Sequence, residues 1–209
     1  MSGAERSNSF PSGAPERLVT ERLILRRPLQ SDADAVFLRY ASDSEVTRYL
    51  AWPRHTALDD TRVFLSYSES EWRRWGCGPY LVYSDDASRL LGSTGLAFES
   101  PGIASTGYVF ARDAWGHGYA TEVLRAMVGL ARSLDVKWLY AICHVDHRAS
   151  ERVMIKAGFR KEGILKRHIT FPNIGPSRAD VISYGIDLSH EAPDSPRAAG
   201  SAAPGGRRR

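Results

Sequence analysis

The chain has 209 residues, of which 43% are apolar and 25% are charged, and these values are typical of one globular domain with a sizeable core. The net charge of +4 comes partly from four arginines in residues 190–209, and the remainder is too small to indicate a nucleic-acid surface. No apolar run approaches the roughly 18 residues of a membrane span, and the N-terminus has no signal-peptide core. We therefore expect a soluble, cytoplasmic protein with no nucleic-acid or membrane partner.

The pattern of apolar residues and chain breakers predicts strands and helices between two tails. Residues 1–16 and 190–209 are rich in small residues and proline, and they predict a disordered head and a disordered tail around a domain at 17–189. In chain order the predicted elements are a strand at 22–27, a helix of about ten residues beginning near Ser31, a helix at 60–75, strands at 80–83, 90–98 and 107–111, a helix following Gly118, a strand at 137–145, a helix at 149–157, and strands at 163–170 and 179–188.

Capping and breaking residues define several of these boundaries. Ser31 followed by Asp34 is close to a capping box, and Pro28 ends the strand before it. Gly76-Cys77-Gly78-Pro79 breaks the helix at 60–75, and Gly158 follows the last predicted helix in the position of a C-terminal capping glycine. Together the elements predict an α/β (α+β) fold, in which a mixed, mostly antiparallel sheet carries helices on both faces.

The central feature of the sequence is a glycine loop that opens a helix, Trp115-Gly116-His117-Gly118-Tyr119-Ala120-Thr121-Glu122. Apolar residues then recur at helical spacing in Val123, Met127, Leu130 and Leu134. The first N–H groups of a helix have no partner within it, and with the helix dipole they bind phosphate. The loop lacks the third glycine of a dinucleotide site and the Gly-Lys-Ser/Thr of a Walker loop. It therefore predicts a phosphate ligand of another kind.

Three motifs in chain order resemble the GNAT acyl-CoA N-acetyltransferases, and in particular the branch that contains the ribosomal-protein acetyltransferases RimJ and RimL. The glycine loop resembles the family's Gln/Arg-x-x-Gly-x-Gly/Ala motif, with Gly118 as the fixed glycine, Ala120 as the small residue and Trp115 in place of Gln/Arg. Residues 20–26 resemble the first strand of that branch, and residues 149–159 resemble its pantetheine-side helix. The resemblance covers most of the chain and implies the GNAT fold.

The resemblance implies acetyl-CoA as the co-substrate and no metal. It places the pyrophosphate in the glycine loop and the pantetheine along the preceding strand, which carries a bulge that splays it from its neighbour. An N–H group on that strand would hold the thioester oxygen as negative charge develops on it. The residues implied to hold acetyl-CoA are Tyr108, Val109, Phe110, Gly116, His117, Gly118, Tyr119, Ala120, Thr121, His147 and Arg152, and Arg112, Arg148 and Lys156 are further candidates for its phosphates.

The resemblance also implies two catalytic residues: His147, just before the last predicted helix, and Ser150, within it. Ser150 matches the serine that this branch is taken to use to protonate the departing thiolate, although its place in a first helical turn also suits a structural role. His147 stands where the family usually has Asn against the pantetheine, and an imidazole can donate the same hydrogen bond or act as an acid or base. The tyrosine that other members use as the acid falls at Met154. Carboxylates that they use as bases fall at Ile142 and Ser105.

The general base is therefore missing from its usual positions, which bears on the substrate. Glu99, His144 and Asp146 remain candidate bases that would act through water. An α-amine with a pKa near 8 is about one-tenth neutral at pH 7, whereas a lysine near 10.4 is about a thousandth or less neutral. A weak base thus favours α-amines over lysine. The loop at residues 52–55 lies where this branch shapes its acceptor pocket.

The leading hypothesis is acetyl transfer from acetyl-CoA to a primary amine, such as a protein N-terminus, by a monomer or homodimer. One alternative is a small-molecule amine: an antibiotic, a polyamine or an amino acid. The other is a coenzyme A-binding protein without catalysis. An acceptor pocket lined with carboxylates would favour a polycation, and a shallow open groove would favour a peptide. Cys77 and Cys143 have no metal-binding spacing and fit two reduced thiols.

Overall fold

A computed structural model describes residues 13–189, which form one eight-stranded sheet flanked by helices. The strands are β1 Arg17–Val19, β2 Leu23–Arg26, β3 Pro79–Ser84, β4 Leu90–Ser100, β5 Ile103–Phe110, β6 Trp138–His144, β7 Arg160–Thr170 and β8 Arg178–Asp187. The main helices are α1 Ala33–Val36, α2 Leu58–Trp75, α3 Tyr119–Ser133 and α4 Arg148–Lys156. No helix within residues 13–189 is long and apolar enough to cross a membrane.

The sheet has the order β1-β2-β3-β4-β5-β6-β8-β7. Every neighbouring pair is antiparallel except β5 and β6, which are parallel. Side chains that alternate along β5 enter different cores: Val109 packs with Val36 of α1, and Phe110 packs with Leu124 of α3. The helices therefore cover both faces, and the predicted mixed, mostly antiparallel α/β (α+β) fold is confirmed.

The long helices begin and end where their capping residues require. The Asp60 carboxylate accepts hydrogen bonds from the N–H groups of Thr56 and Ala57 at 2.8 and 3.0 Å, which satisfies donors at the start of α2. Gly76 caps the other end of α2 with φ of 64°, a left-handed conformation that favours glycine. Gly158 follows α4 with φ of 96°. Both glycine boundaries agree with the sequence prediction.

The first predicted helix begins close to its predicted start near Ser31, but it consists of short pieces of different helical type. A 3₁₀ turn precedes α1, and a π-helical turn at Phe37–Ala41 follows it. The N–H of Leu29 is bonded by Asp32 at 2.7 Å, and this carboxylate also holds Arg26. Asp32 therefore takes the capping role that Ser31 and Asp34 suggested. The Ser42 hydroxyl donates to the Phe37 carbonyl at 2.8 Å, and this competition disturbs the helical ladder.

Residues 14 and 15, which the sequence assigned to the head, contact the domain in the structure. Ala14 is buried, and its N–H donates to the Gly76 carbonyl at 2.7 Å. The hydroxyl of Tyr80, itself fully buried, donates to the Pro15 carbonyl at 2.7 Å. The segment contacts residues at the end of α2 and in β3. These contacts could not be predicted from the amino-acid composition of the segment. The rest of the predicted head and the tail at 190–209 lie outside the described residues.

Candidate active site

The parallel strands β5 and β6 separate into a fork. Their pairing ends at Ser105 with Tyr140, while β5 stays paired with β4 through Phe110 and β6 stays paired with β8 through His144. The register between β4 and β5 is regular from Ala104 to Phe110, so the bulge expected there is absent from this pairing. The divergence of β6 from β5 opens the sheet in its place.

Two cavities meet in the fork. The aromatic cavity, of about 540 Å³, extends under α2 and the loop after α1, and its lining includes Trp52, Phe64, Tyr67 and Phe171. The loop cavity, of about 500 Å³, extends to the glycine loop and α4. The two share the lining residues Tyr49, Leu50, Tyr108, Val109 and His147. A ligand that occupied both cavities would pass between the strands.

The glycine loop presents a row of free donors to the loop cavity. Gly116 and Gly118 both have φ of 80°, and Gly118 is the N-cap of α3. Among the described residues, no acceptor is bonded by the consecutive N–H groups of residues 116–120. Because these groups lie at the positive end of a helix dipole, the loop can bind an anion.

An arginine from the start of the sheet holds this loop. Arg22 donates through Nη1 to the His117 carbonyl at 2.9 Å and through Nε to the Glu122 carboxylate at 2.8 Å. Thr20 donates to the same carboxylate at 2.6 Å. Burial alone would raise the pKa of Glu122, but these hydrogen bonds outweigh it and hold the pKa below its usual range. Glu122 therefore stays ionised and fixes the loop to the N-terminal strand.

Nearly all the residues predicted to hold acetyl-CoA line the loop cavity: Tyr108, Val109, Phe110, Gly116, Gly118, Tyr119, Ala120, Thr121, His147 and Arg152. His117 does not, since its ring stacks on Tyr119 at 5.5 Å and its carbonyl faces Arg22. Lys156 also lines the cavity, one helical turn beyond Arg152.

Two other basic candidates are occupied elsewhere. Arg148 pairs with Glu151 at 2.9 Å, and Arg112 pairs with Asp43 at 2.9 Å and Glu45 at 2.6 Å. Neither lines the loop cavity. This leaves Arg152 and Lys156 as the predicted cations that face it.

Ser150 and Tyr108 form a hydroxyl pair in the fork. Ser150 is buried in the first turn of α4, and the Tyr108 hydroxyl donates to its Oγ at 3.2 Å. Since Ser150 Oγ accepts this bond, its own hydrogen remains free to be donated elsewhere. Burial raises the pKa of Tyr108 to about 12, so the phenol is protonated at neutral pH. The pair can deliver a proton to a group that gains negative charge.

His147 lies at the junction of the two cavities. It is the N-cap of α4, and its ring stacks on Tyr49 with 4.6 Å between centroids. Burial, with a smaller contribution from the nearby His144, lowers the pKa of His147 below its usual value. The imidazole is therefore neutral at pH 7, and no described residue bonds its ring nitrogens. It can accept a proton or donate a hydrogen bond to a ligand.

The other candidate bases lie outside the cavity walls. His144 is buried against Phe171, and its Nδ1 accepts the N–H of Asp146 at 3.1 Å. Nδ1 of His144 is therefore occupied as an acceptor by a neighbouring backbone group. Glu99 accepts the hydroxyl of Tyr140 near the closed end of the fork. Neither Glu99 nor His144 lines the aromatic cavity.

The roof of the aromatic cavity is tied to the hairpin of β7 and β8. The amide of Asn173 donates to the carbonyls of Thr47 and Trp52 at 2.7 and 2.9 Å, and it accepts the N–H of Arg54 at 2.8 Å. Of the loop at residues 52–55, only Trp52 lines the cavity. His55 is instead buried against the Thr61 hydroxyl at 2.8 Å.

Within the described residues, no three His, Cys, Asp or Glu side chains are grouped so as to hold a metal ion. Cys77 and Cys143 are both free and buried, in line with two reduced thiols.

The comparisons with known proteins identify the family. Residues 22–160 match the family described as Acetyltransferase (GNAT) domain, which is well over half of the chain. The chain belongs to the GNAT acetyltransferases. An uncharacterized N-acetyltransferase of Bacillus subtilis, YoaA, is 30% identical over 174 residues, which are 79% of this chain and 94% of YoaA. This GNAT enzyme is therefore an acyl-CoA-dependent N-acetyltransferase.

Solved structures agree with the fold of this acetyltransferase. A GNAT-family acetyltransferase from Bacillus anthracis superposes with a TM-score of 0.71 at 26% identity, covering 83% of this chain and 99% of that one. RimL, the ribosomal L7/L12 alpha-N-protein acetyltransferase, in complex with coenzyme A also gives a TM-score of 0.71, at 23% identity, over 82% of this chain and 97% of that one. The resemblance to this family is confirmed.

Three contacts in the site of this acetyltransferase were not predicted from its sequence. Arg22 was part of a recognised strand motif, yet its contact with the loop joins residues 95 apart in the chain. Tyr108 was considered for its backbone alone, although its hydroxyl meets Ser150. Asn173 carries no local motif. An Asn in a predicted hairpin turn was the one available signal, and it does not indicate a partner.

Proposed function

We propose that this acetyltransferase transfers an acetyl group from acetyl-CoA, bound in the loop cavity, to a primary amine that enters through the aromatic cavity. The observation that carries the proposal is the meeting of both cavities at Tyr108 and His147, where the Tyr108 hydroxyl also bonds Ser150. The free N–H groups of residues 116–120 would bind the pyrophosphate. Arg152 and Lys156 supply positive charge beside it.

In this proposal the fork gives pantetheine a strand edge to follow. Beyond Ser105, the edge of β5 that faces β6 pairs with no strand in residues 13–189. The amine nitrogen attacks the thioester carbon, the C–S bond breaks, and its electron pair goes to sulfur. Ser150 donates its proton to the thiolate, and Tyr108 supports it by donating to Oγ. The proton lost by the amine passes to His147, directly or through water.

The acceptor is proposed to be an amine that is partly neutral without a strong base. Ile142 and Ser105 line the aromatic cavity at the positions where relatives carry carboxylates, so no carboxylate is available there. An α-amine with a pKa near 8 is about one-tenth neutral at pH 7. Both a protein N-terminus and a small molecule can supply such an amine.

A loop variant tests the placement of acetyl-CoA. Gly118→Val puts a branched side chain at φ of 80°, a conformation that is strained for any L residue, and it should weaken acetyl-CoA binding by well over tenfold. Gly129→Ala, on the exposed face of α3 with open space around it, is the control. Calorimetry would measure both, with circular dichroism to confirm folding. An unchanged affinity in a folded Gly118→Val variant would contradict this placement.

A further inference from the structure

The aromatic cavity has walls that are mainly apolar. Six aromatic side chains line it: Tyr49, Trp52, Phe64, Tyr67, Tyr108 and Phe171. They come from the loop after α1, from α2, from β5 and from the end of β7. Its volume of about 540 Å³ lies within the range of small-molecule sites. Rings and aliphatic chains that enter it would lose apolar surface to water, which is favourable.

The floor of the cavity is open at one glycine. Gly107 lies on β5 opposite Gly95 of β4, and both line the cavity. A Cβ added at Gly107 would meet nothing within 4 Å, and its φ is not positive. The missing side chain thus leaves room between the sheet and the aromatic wall. A ligand can occupy this room without displacing any part of the protein.

The charge in the cavity is sparse and of one sign. Among the described residues, Glu71 is the one Asp or Glu that lines it, and no Lys or Arg does. Glu71 lies on α2 and has no hydrogen-bond or ion-pair partner in residues 13–189. A carboxylate on the acceptor would meet this negative charge without any cation to balance it. A polyamine would need a partner for each buried ammonium, and the cavity offers one.

We propose that the acceptor is a compact primary amine with an aromatic or aliphatic skeleton and no carboxylate. This inference rests on the proposed function and narrows it to a substrate class. The apolar walls bind the skeleton, and the open floor at Gly107 admits it. Glu71 favours a single positive charge or a neutral polar group on the ligand. Free amino acids and polyamines are excluded by charge rather than by size.

Four amines separate these classes: phenethylamine, phenylalanine amide, phenylalanine and spermidine. The first three share a ring and differ in the carboxyl group, and the fourth is a polycation. We expect kcat/KM, expressed per concentration of neutral amine, to be at least tenfold higher for phenethylamine and phenylalanine amide than for the other two. Equal or higher values for phenylalanine or spermidine would overturn the proposed class while leaving acetyl transfer intact.

A substitution in the floor tests the location. Gly107→Val should fill the space that the ligand needs and raise the KM for phenethylamine at least tenfold, with the acetyl-CoA Kd changed less than twofold. Gly163→Val is the matched control, because Gly163 is also a strand glycine with open space around it and lies outside both cavities. It should leave both constants unchanged. An unaltered KM in Gly107→Val would show that the acceptor binds elsewhere.

Direct binding distinguishes a failure of this inference from a failure of the proposed reaction. Calorimetry in the presence of coenzyme A would measure the four amines on the parent and on Gly107→Val. If none is acetylated, yet phenethylamine binds at least tenfold more tightly than phenylalanine and spermidine and loses affinity in Gly107→Val, the cavity assignment stands and the proposed acetyl transfer to an amine bound in this cavity is wrong. If neither turnover nor binding discriminates among the amines, the inference itself is wrong.

Discussion

In the proposed reaction the hydroxyl of Ser150 can donate its proton because another hydroxyl bonds its oxygen. The Tyr108 phenol donates to Oγ at 3.2 Å, which leaves the serine hydrogen free and polarises it, since hydrogen bonds in a chain strengthen one another. The site therefore contains a tyrosine hydroxyl, that of Tyr108 on β5. The position where other GNAT members carry their tyrosine holds Met154. The two side chains should behave as one catalytic unit.

A double-mutant cycle tests that unit. Ser150→Ala should lower kcat about 100-fold, the usual scale for one positioned acid, and Tyr108→Phe should lower it about tenfold. In the Ser150→Ala background, Tyr108→Phe should have an effect below about twofold, because its acceptor is gone. Stopped-flow measurement of the chemical step would provide the rates, and calorimetry should show acetyl-CoA affinity nearly unchanged.

Tyr80→Phe is the control for this cycle, since Tyr80 is another buried tyrosine whose hydroxyl bonds a residue outside both cavities. It should leave kcat unchanged. Independent, multiplicative effects of Ser150→Ala and Tyr108→Phe would contradict a shared role. Full kcat in Ser150→Ala, with chemistry rate-limiting, would remove the serine from the mechanism.

The pH dependence of kcat should report on His147. Burial lowers its pKa below the usual value of about 6.5, so as a base it is active above that pKa and is lost as pH falls through it. The acid limb of kcat should therefore lie below pH 6.5 in the parent, measured between pH 5 and 9 with saturating amine. His147→Asn and His147→Ala should both lose this limb. A nearly silent His147→Asn would instead assign the imidazole to a hydrogen bond with pantetheine, which an amide can also make.

At the scale of elements, one side chain joins two of them above the aromatic cavity. Asn173, after β7, holds the loop that carries Tyr49 and Trp52 through three hydrogen bonds. Asn173→Ala should release that loop, raising the KM for the amine and lowering stability by about 1–3 kcal/mol, because carbonyls lose their partners. Asn173→Asp keeps the acceptor for Arg54 and loses both donors, so its effects should be intermediate. Thermal melts and initial rates would measure this, and an unchanged KM in Asn173→Ala would show that the loop keeps its position unaided.

The sequence predicted the elements with clear periodicity or glycine caps. The helix after Gly118 follows from apolar residues at helical spacing, and β6 alternates buried and half-buried residues. The other predicted strands follow from apolar runs between chain breakers, and β1 was not predicted. The residue that caps the first helix could not be foreseen, since Asp32 is also held by Arg26 of β2. The fork could not be foreseen from residue patterns either. It results from β6 leaving β5 after Tyr140, and no residue type marks that point.

The parts of the candidate site that belong to a continuous sequence motif were predictable. The glycine loop was found from local sequence and Ser150 from the family resemblance, and in the structure the loop lines the loop cavity while Ser150 lines the aromatic cavity. The missing contacts are side-chain meetings between distant segments, such as Arg22 with Glu122 and Tyr108 with Ser150. One sequence without tertiary geometry contains no signal for such pairs. The contact of Glu99 with Tyr140, 41 residues away, is another such pair, and Glu99 lines neither cavity.

For the whole molecule, we propose that the folded unit begins before residue 17. A chain of residues 17–189 would lose the buried Ala14 and leave the Tyr80 hydroxyl without Pro15. Compared with residues 13–189, it should lose about 1–3 kcal/mol, or about 2–10 °C in Tm for a protein of this size. Calorimetric melts would show this difference, and Tyr80→Phe should reduce it because no hydroxyl is then orphaned. Equal melting temperatures for the two chains would show that the folded unit begins at residue 17.

The shared lining of the two cavities has a thermodynamic consequence. With acetyl-CoA in the loop cavity as proposed, its pantetheine arm would complete the wall of the aromatic cavity beside Tyr108 and His147. Coupling between two binding sites is reciprocal, so donor and acceptor would raise each other's affinity by the same factor. The affinity for the amine would then not be a constant of the protein. The affinity for the amine would increase and decrease with the concentration of the acyl donor. Because the two sites meet in the fork, binding of the acceptor would depend on that concentration.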